Sequence, residues 1–336
     1  MKKLFLIIIC LTAVFLTFFG SSFVEPAIAQ KIEWTYPTQH VPGNYMRDGQ
    51  EWFAAEVSKR TNGRLKIFTH QFGEVGLSGF ESLTVLKSGA YPVIEIITGW
   101  VAGEIPALGL YSAPCVIDNP KEGVAALDAT YEIRQRLLDK FNAMDIRLYT
   151  VGPLLTLFSN KPVRTLEDFK GLKIRAPGRL IGDFVKALGA SPVTTPLAES
   201  YTALQRGTVD AGLTGPDGGI SLKWHEVTKY GTLMGVSPNV TFVVVNKDKW
   251  KILPKDIQEI ILQTAKEATV RLTNDAIKVT AASPDDLRKS GLTVIQLSPE
   301  VDGQIKGIVK GSLWDKWASV PEGQSFLKAI RSSTGK

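Results

Sequence analysis

Segments with strand-like and helix-like patterns alternate along the chain after residue 30, and this alternation constrains the fold most. Residues 31–36 (KIEWTY), 64–70 (RLKIFTH) and 92–98 (PVIEIIT) are short runs rich in apolar and β-branched residues, which is typical of strands. Between them, residues 44–63 and 79–90 have the apolar spacing of helices. A strand–helix order that repeats in this way predicts a parallel sheet covered by helices on both faces.

Local signals at the ends of these segments support their boundaries. Asn62 and Gly63 form a typical C-terminal cap pair, and Ser78 with Glu81 has the spacing of a capping box. The same alternation continues to the end of the sheet-forming region. Further helices are predicted at 121–142, 179–190 and 198–208, and further strands at 146–151, 171–177, 191–195, 209–214 and 241–250.

A long helix is predicted to begin at Pro254, a residue that suits the first helical position. Apolar residues then recur in steps of four and three, which places them on one helix face, at positions 257, 261, 265, 268, 272, 276 and 279. Residues 254–281 would span roughly 40 Å, which is longer than one small domain. Because the sequence has no flexible linker, we expect two domains joined by crossing strands, as in hinge proteins.

The first 29 residues differ in kind from the rest of the chain. MKK is a positively charged start, residues 4–19 carry no charge, and residues 27–29 (AIA) have the small residues of a secretory cleavage site. We therefore predict a signal peptide, cleavage after Ala29 and a soluble periplasmic product. The alternative is an uncleaved membrane anchor, because the apolar run is near the short limit of a membrane span.

Charge and cysteine content exclude further classes. The 39 Lys and Arg residues outnumber the 33 Asp and Glu residues, but no block of five or six like charges occurs, so we predict no nucleic-acid partner. Cleavage would leave Cys115 as the only one of the two cysteines, and an intramolecular disulfide is then impossible. The apolar surroundings of Cys115 indicate a buried, inert thiol.

Sequence motifs for catalysis, metals and cofactors are missing. His225 begins the run HEVTK, which lacks the second histidine of a metalloprotease motif. Glycines at positions 73, 76 and 79 do not have the dinucleotide-binding spacing, and the sequence contains neither a P-loop nor a G-x-S-x-G elbow. We therefore predict a protein without catalytic residues, metal site or cofactor, and not an enzyme.

Several motifs follow one another in a fixed order from residue 169 onward. They are FKGLKIRAPG, ALGASPVTTPLAESYTALQRGTVDA, WHEVTKYGTL and NKDKWKILPKDIQE. In order and spacing they resemble the DctP-type substrate-binding proteins of TRAP transporters, the periplasmic partners of sodium-coupled permeases. A weaker resemblance begins at EWFAAEVSKRTNGRLKI, so that it covers nearly the whole chain after the N-terminal segment.

The resemblance implies an α/β fold of two domains around a ligand cleft, joined by crossing hinge strands and by a long helix that spans both. It places residues 30–152 and about 241–283 in domain I, and residues 153–240 and about 284–336 in domain II. It also implies a binding protein that captures a small organic acid and delivers it to a TRAP permease.

Arg175 is the residue to which the resemblance assigns the ligand carboxylate. In the strand, Leu172 and Ile174 point to one face, and Lys173 and Arg175 to the other. Arg175 lies at the carboxyl end, where open α/β sheets bind ligands, and its planar fork can hold a carboxylate by two hydrogen bonds. From the residues alone, a structural salt bridge is the alternative.

Other positions depart from the pattern of better-known members. Leu155 stands where the sialic-acid binders of the family have a second arginine, and Thr214 stands where many members have an asparagine. Trp100 stands where members often have a polar or charged residue. These departures predict a less polar pocket with one anion anchor, suited to a small monocarboxylate rather than a sugar acid. Core packing is the alternative role of Trp100. Approximate alignment adds three weaker pocket candidates, Gln39, Leu197 and Asn239.

Two other functions remain open from the sequence. One is an exported enzyme with two α/β domains that acts on a small carboxylate. The other is a ligand-sensing protein that presents its closed form to a receptor, since sensing and transport use the same closure. We expect a monomer whose partners are the small acid and the membrane subunits of the permease.

Overall fold

The computed structural model describes residues 31–335, so the predicted signal peptide and its cleavage site lie outside the described residues. Nine strands are found in this part of the chain: β1 Ile32–Thr38, β2 Leu65–Gln71, β3 Val93–Ile97, β4 Ala143–Ser159, β5 Lys173–Arg175, β6 Ser191–Val193, β7 Ala211–Thr214, β8 Tyr230–Asn246 and β9 Thr293–Gln296.

Twelve α-helices accompany these strands in the same part of the chain. They are α1 Tyr45–Arg60, α2 Ser82–Lys87, α3 Pro120–Ala129, α4 Tyr131–Asp139, α5 Arg179–Ala187, α6 Ser200–Gln205, α7 Pro216–Ser221, α8 Lys247–Lys251, α9 Lys255–Lys289, α10 Pro299–Ile308, α11 Trp314–Ala318 and α12 Gly323–Thr334. Short 3₁₀ turns and one π-helical segment, Val309–Leu313, lie between them. None of the helices from residue 31 to 335 is long and apolar enough to cross a membrane.

The strands form two sheets. β1 and β2 pair in parallel, as predicted. The second sheet has the order β3–β8–β4–β7–β5–β6, with β9 paired to β8. The prediction that β3 continues a parallel sheet is wrong, because β3 pairs antiparallel with β8, a strand about 145 residues later in the chain.

Two strands of 17 residues cross the molecule. β4 and β8 pair antiparallel along their whole length, from Ala143 opposite Asn246 to Ser159 opposite Tyr230. β3 pairs with one end of β8, and β7 pairs with the opposite end of β4. The register of the β4–β8 pair shifts several times between Asp145 and Thr156. These shifts are β-bulges or similar irregularities, and strands can bend at such points. These strands are the predicted crossing connections between two α/β domains.

The long helix α9 has 35 residues and would span roughly 52 Å, so it is longer than the predicted range 254–281. Pro254 is its N-cap rather than its first residue. The helix continues past Pro284 to Lys289, and Leu287 in this last part is buried in the apolar cluster that also contains Phe158 and Leu292. We attribute the continuation to this packing, which offsets the hydrogen bond that a proline removes.

Other predicted boundaries were wrong for local reasons. Residues 247–251 are helical rather than part of a strand, because the Asn246 side chain accepts hydrogen bonds from the amides of Asp248 and Lys249 and so caps α8. The helix predicted over 121–142 is two helices, α3 and α4. Between them, the Thr130 hydroxyl bonds back to the carbonyl of Ala126.

The Ser78–Glu81 pair does not cap α2. The Glu81 carboxylate accepts hydrogen bonds from both the amide and the hydroxyl of Ser78, and the helix begins only at Ser82. Gly79, with φ +93°, turns the chain between them. The carboxylate therefore stabilises the turn before the helix instead of the helix end.

Packing at the C-terminus does not follow the predicted domain boundaries throughout. β9 pairs with the Tyr230–Leu233 end of β8, beside elements predicted to belong to domain II. Helix α12 instead packs on α3 and on the turn Pro106–Ser112, which were predicted to belong to domain I. The boundaries 30–152 with 241–283 and 153–240 with 284–336 stay predictions, and α12 is better assigned to domain I.

Candidate ligand-binding site

A cavity lies where the carboxyl ends of several strands face the crossing pair β4–β8. All seven residues that were named as pocket candidates from the sequence line it: Gln39, Trp100, Leu155, Arg175, Leu197, Thr214 and Asn239. Gln39 directly follows β1, Arg175 ends β5 and Thr214 ends β7. This position agrees with the rule that α/β sheets bind ligands beyond the carboxyl ends of their strands.

The cavity is small, with a volume of about 60 Å³. A cavity of this size has room for several waters or for one compact organic molecule. The volume suits a small acid.

Arg175 is the buried charge of the cavity wall, with 1% of its surface exposed. Its Nη1 donates to the carbonyl of Leu213 at 2.9 Å, and its Nε and Nη2 donate to the carbonyl of Thr195 at 3.3 and 3.2 Å. Each terminal nitrogen therefore keeps one N–H that no described residue accepts, which is the pattern needed to hold a carboxylate by two bonds.

The guanidinium of Arg175 forms no ion pair with any carboxylate of residues 31–335, so the salt-bridge alternative is wrong for the described chain. Burial lowers the pKa of Arg175 to about 10, which leaves it charged at neutral pH. A buried charge without a counterion is costly, and an anionic ligand would lower that cost.

The local sequence explains why this arginine faces the cavity. β5 is only three residues long and lies between β6 and β7; Lys173 at its start is exposed, whereas Ile174 and Arg175 are buried. Gly178, with φ +102°, then turns the chain into α5. The strand thus ends with the guanidinium at the cavity wall.

Trp100 both packs in the core and lines the cavity. Its ring contacts Phe80 at 4.9 Å and Phe72 at 6.5 Å between centroids. A Cβ atom on Gly79 would lie 2.6 Å from the indole, so the glycine makes room for the tryptophan. The segment with glycines at positions 73, 76 and 79 therefore forms a turn that supports one wall of the cavity.

The crossing strands supply another wall. Leu155 lies in β4 at a shift in register, and Asn239 lies near the centre of β8. Ser237, two residues before Asn239 on the same strand, has φ +50°, and its hydroxyl donates to the carbonyl of Ser112 at 2.6 Å. Bending of β4 and β8 would therefore move side chains that line the cavity.

Sequence reasoning missed several polar residues of the wall. They are His40, Asn44, Ser112, Asp217 and Ser237. Their presence makes the cavity more polar than the departures at Leu155, Thr214 and Trp100 had suggested. The position of His40 just after β1, and of Asp217 in the GPDGG run just after β7, is the signal that could have identified them.

A buried carboxylate anchors the wall on the β1 side. Glu95, fully buried in β3, accepts hydrogen bonds from the Thr38 hydroxyl, the Gln39 amide, His40 Nε2 and the Gln50 side chain. Burial alone would raise the pKa of Glu95. Interaction with His40 and the hydrogen bonds from the other donors outweigh burial and lower the pKa of Glu95 to about 2.

The walls of the cavity meet at two points. Asn44 Nδ2, just before α1, donates to Asp217 Oδ2 in α7 at 2.9 Å. At Gly178, an added Cβ atom would lie only 2.5 Å from the carbonyl oxygen of Gly99. Elements from different parts of the chain are therefore in direct contact around the cavity, as expected for a closed cleft.

The electrostatics of the wall are simple. Arg175 is the only Lys or Arg among the lining residues that the structure describes, and Asp217 is the only Asp or Glu. Residues 31–335 contain no group of three or more His, Cys, Asp or Glu that could hold a metal ion. Cys115 lies elsewhere and is buried, and burial raises its thiol pKa to about 11.

Comparison with known proteins agrees with this geometry. A "Solute-binding protein" of Albidiferax ferrireducens is 27% identical over 314 residues, covering 87% of this chain and 89% of its own. The "Monocarboxylate 2-oxoacid-binding periplasmic protein" of Nostoc sp. is 28% identical over 265 residues, covering 75% of this chain and 70% of its own.

Solved structures show the same fold. The structure of DctP7, a Bordetella pertussis extracytoplasmic solute receptor binding pyroglutamic acid, has a TM-score of 0.83 and 25% identity. It covers 89% of this chain and 99% of its own. The DctP family, described as bacterial extracellular solute-binding protein family 7, matches residues 38–319. The chain therefore belongs to the DctP family, the extracytoplasmic solute-binding proteins of TRAP transporters, and it is a binding protein rather than an enzyme.

Proposed function

We propose that this protein captures a small monocarboxylate, holds its carboxylate on Arg175 and delivers it to a TRAP permease. In this proposal the chain is cleaved after Ala29 and acts in the periplasm as a monomer. Mass analysis of the exported protein should give an N-terminus at Gln30, whereas an intact membrane-bound chain would contradict the cleavage.

The observation that carries the proposal is the unpaired charge of Arg175. Its hydrogen-bond acceptors in the described chain are two neutral carbonyl oxygens, those of Leu213 and Thr195. A guanidinium with 1% exposure and no counterion is unfavourable unless an anion arrives. A carboxylate would supply the missing charge and use the two remaining N–H groups.

The choice of a monocarboxylate rests on size and charge. A second carboxylate would find no other Lys or Arg among the described lining residues, and it would share the cavity with Asp217. Its desolvation would therefore be uncompensated. The apolar side chains of Met46, Ile97 and Leu155 can instead contact a short alkyl group, and each buried methylene contributes about 0.8 kcal/mol.

The relatives support an acid of this kind. The Nostoc protein is named for monocarboxylate 2-oxoacids, and the Bordetella receptor binds pyroglutamic acid. Both ligands carry one carboxylate beside a second polar group. We propose that short or branched 2-oxo or 2-hydroxy acids outrank succinate, malate and sialic acid here, and the volume of the cavity favours the smaller members over aromatic ones.

Mass spectrometry of the molecules that copurify with the protein, followed by calorimetry, tests the proposal. Arg175→Ala should weaken binding at least about tenfold, since a hydrogen bond to a charged group contributes about 1.5–3 kcal/mol. Arg175→Lys should restore only part of this loss, because an ammonium lacks the planar fork. Arg179→Ala, in the exposed first residue of α5, is the matched control and should bind normally.

Two results would contradict the proposal. Near-native affinity of Arg175→Ala would show that Arg175 does not bind the carboxylate. Tighter binding of a C4-dicarboxylate than of every monocarboxylate would show that the protein does not prefer monocarboxylates. Ligand uptake that requires both this protein and a permease encoded beside it would separate transport from ligand sensing.

A further inference from the structure

A second polar centre of the cavity, at His40, is not explained by the carboxylate anchor. His40 lines the cavity, although only 7% of the residue is exposed. Ring atom Nε2 lies 3.1 Å from Oε1 of the fully buried Glu95. Burying the Glu95 carboxylate next to a ligand cavity costs free energy. We therefore expect the His40–Glu95 pair to have a role in ligand binding as well as in stability.

The hydrogen-bond pattern determines which ring nitrogen is available. An ionised carboxylate only accepts hydrogen bonds, so Nε2 of His40 must carry the hydrogen that Glu95 Oε1 accepts. Nδ1 has no hydrogen-bond partner among the described residues. It is also absent from the set of described polar atoms that are fully buried without a partner, so it is accessible to solvent. In the neutral ring, Nδ1 is therefore a free acceptor on a residue that faces the cavity.

The backbone of His40 is held on both sides. Its amide donates to the Thr38 hydroxyl at 3.3 Å, and its carbonyl accepts from the guanidinium of Arg47 at 3.3 Å. Arg47 is itself buried and also pairs with Glu51. Little freedom remains for the ring, and a fixed acceptor discriminates between ligands better than a mobile one.

We propose that His40 is a specificity-determining residue that accepts a hydrogen bond from an O–H or N–H group beside the ligand carboxylate, and that Glu95 is its positioning residue. The inference rests on the proposed binding of the carboxylate by Arg175. It narrows the ligand to 2-hydroxy acids, or acids with an N–H group at that position. A 2-oxo acid offers only an acceptor there, which leaves Nδ1 without a partner.

Glu95→Gln provides a sharp test because of the other donors around residue 95. Oε2 of Glu95 accepts from the Thr38 hydroxyl at 2.8 Å and from the Gln39 backbone amide at 3.0 Å. A backbone amide can only donate, so the carbonyl oxygen of the new glutamine would occupy this position. Its amide group would then face His40 Nε2 and Gln50, whose side chain donates to Oε1 in the wild type and would flip to accept through its own oxygen, which has no partner in the described chain. A donor opposite Nε2 moves the ring hydrogen to Nδ1 and turns the free acceptor into a donor.

The experiment is calorimetry at pH 8 with two matched acid pairs: lactate and pyruvate, and 2-hydroxyisovalerate and 2-oxoisovalerate. We expect the wild type to bind the hydroxy acid of the best pair about tenfold more tightly than its oxo partner, because an unpaired buried acceptor is unfavourable. His40→Phe should bring this ratio close to one, and Glu95→Gln should reverse it in favour of the oxo acid.

Each outcome separates this inference from the proposed function. Absence of binding for all four acids, or unchanged affinity in Arg175→Ala, would contradict the proposed carboxylate anchor itself. If Arg175→Ala loses affinity but the wild type prefers oxo acids, or His40→Phe keeps the wild-type ratio, only the role of His40 is overturned. Because the readout is a ratio measured on one folded sample, a general loss of stability does not imitate the expected result.

Discussion

The close contact between Gly178 and Gly99 leads to a specific prediction about closure. Gly178 follows the strand that carries Arg175, and Gly99 follows β3 on another side of the cavity. A methyl group placed on Gly178 would lie 2.5 Å from the carbonyl oxygen of Gly99. Gly178→Ala should therefore oppose the closed arrangement described here and leave an open arrangement unaffected by this clash.

The size of the effect follows from the geometry. Cβ atoms in proteins essentially never approach another heavy atom closer than 3.0 Å, so the two backbones must separate by at least about 0.5 Å. Backbone is less able to yield than a flexible side chain, and overpacking of this kind costs about 1–3 kcal/mol. If binding requires closure, that cost appears as a loss of affinity of about fivefold to more than a hundredfold.

Calorimetry with the bound acid and X-ray scattering with and without it measure the effect. We expect weaker binding and a smaller ligand-induced decrease in the radius of gyration. A left-handed backbone conformation also strains any residue other than glycine, and this strain is separate from the clash. Gly171→Ala is the matched control, since Gly171 has φ +76° with no atom within 4 Å of an added Cβ.

Comparison of the two variants separates the effect of the clash with Gly99 from the effect of backbone strain. Gly171→Ala should lose thermal stability but keep its affinity, whereas Gly178→Ala should lose affinity beyond any loss of stability. Wild-type affinity and wild-type compaction in Gly178→Ala would refute the idea that this contact forms in the ligand-bound state.

Three other predictions concern single groups. Asp145→Ala should lower the free energy of unfolding by about 3–5 kcal/mol, measured by denaturant titration, because it leaves the buried guanidinium of Arg134 without its carboxylate partner at 2.5 Å. Glu95 has a pKa lowered to about 2, so its stabilising effect is present above pH 4.5 and is lost as the pH falls toward 2. Acid unfolding should therefore have a shallower pH dependence in Glu95→Gln, and equal slopes would contradict the assignment. Ligand binding should change tryptophan fluorescence, and Trp100→Phe should reduce that change; an unaltered signal would show that Trp100 does not sense the ligand.

The candidate site was predictable mainly through the resemblance. The resemblance assigned the ligand carboxylate to Arg175, and the position of this residue at the carboxyl end of a strand, just before Pro177 and Gly178, agrees with that role. The other candidates from the resemblance also line the cavity, although ligand binding by them stays a prediction. His40 and Glu95 were missed because they are 55 residues apart, and nothing in either segment indicates that the two side chains meet.

By itself, the sequence determined the alternation of strands and helices, the long helix after Pro254 and the resemblance to one family. These depend on short-range periodicity, since side chains two, three or four residues apart share a face. Only the tertiary structure decided that β3 pairs with β8 and that α9 continues past Pro284. It also decided that Arg175 has no carboxylate partner among residues 31–335, while Glu95 has four donors. Pairing, burial and charge compensation are contacts through space between distant segments, and their energies depend on which groups the folded chain brings within a few ångströms of each other.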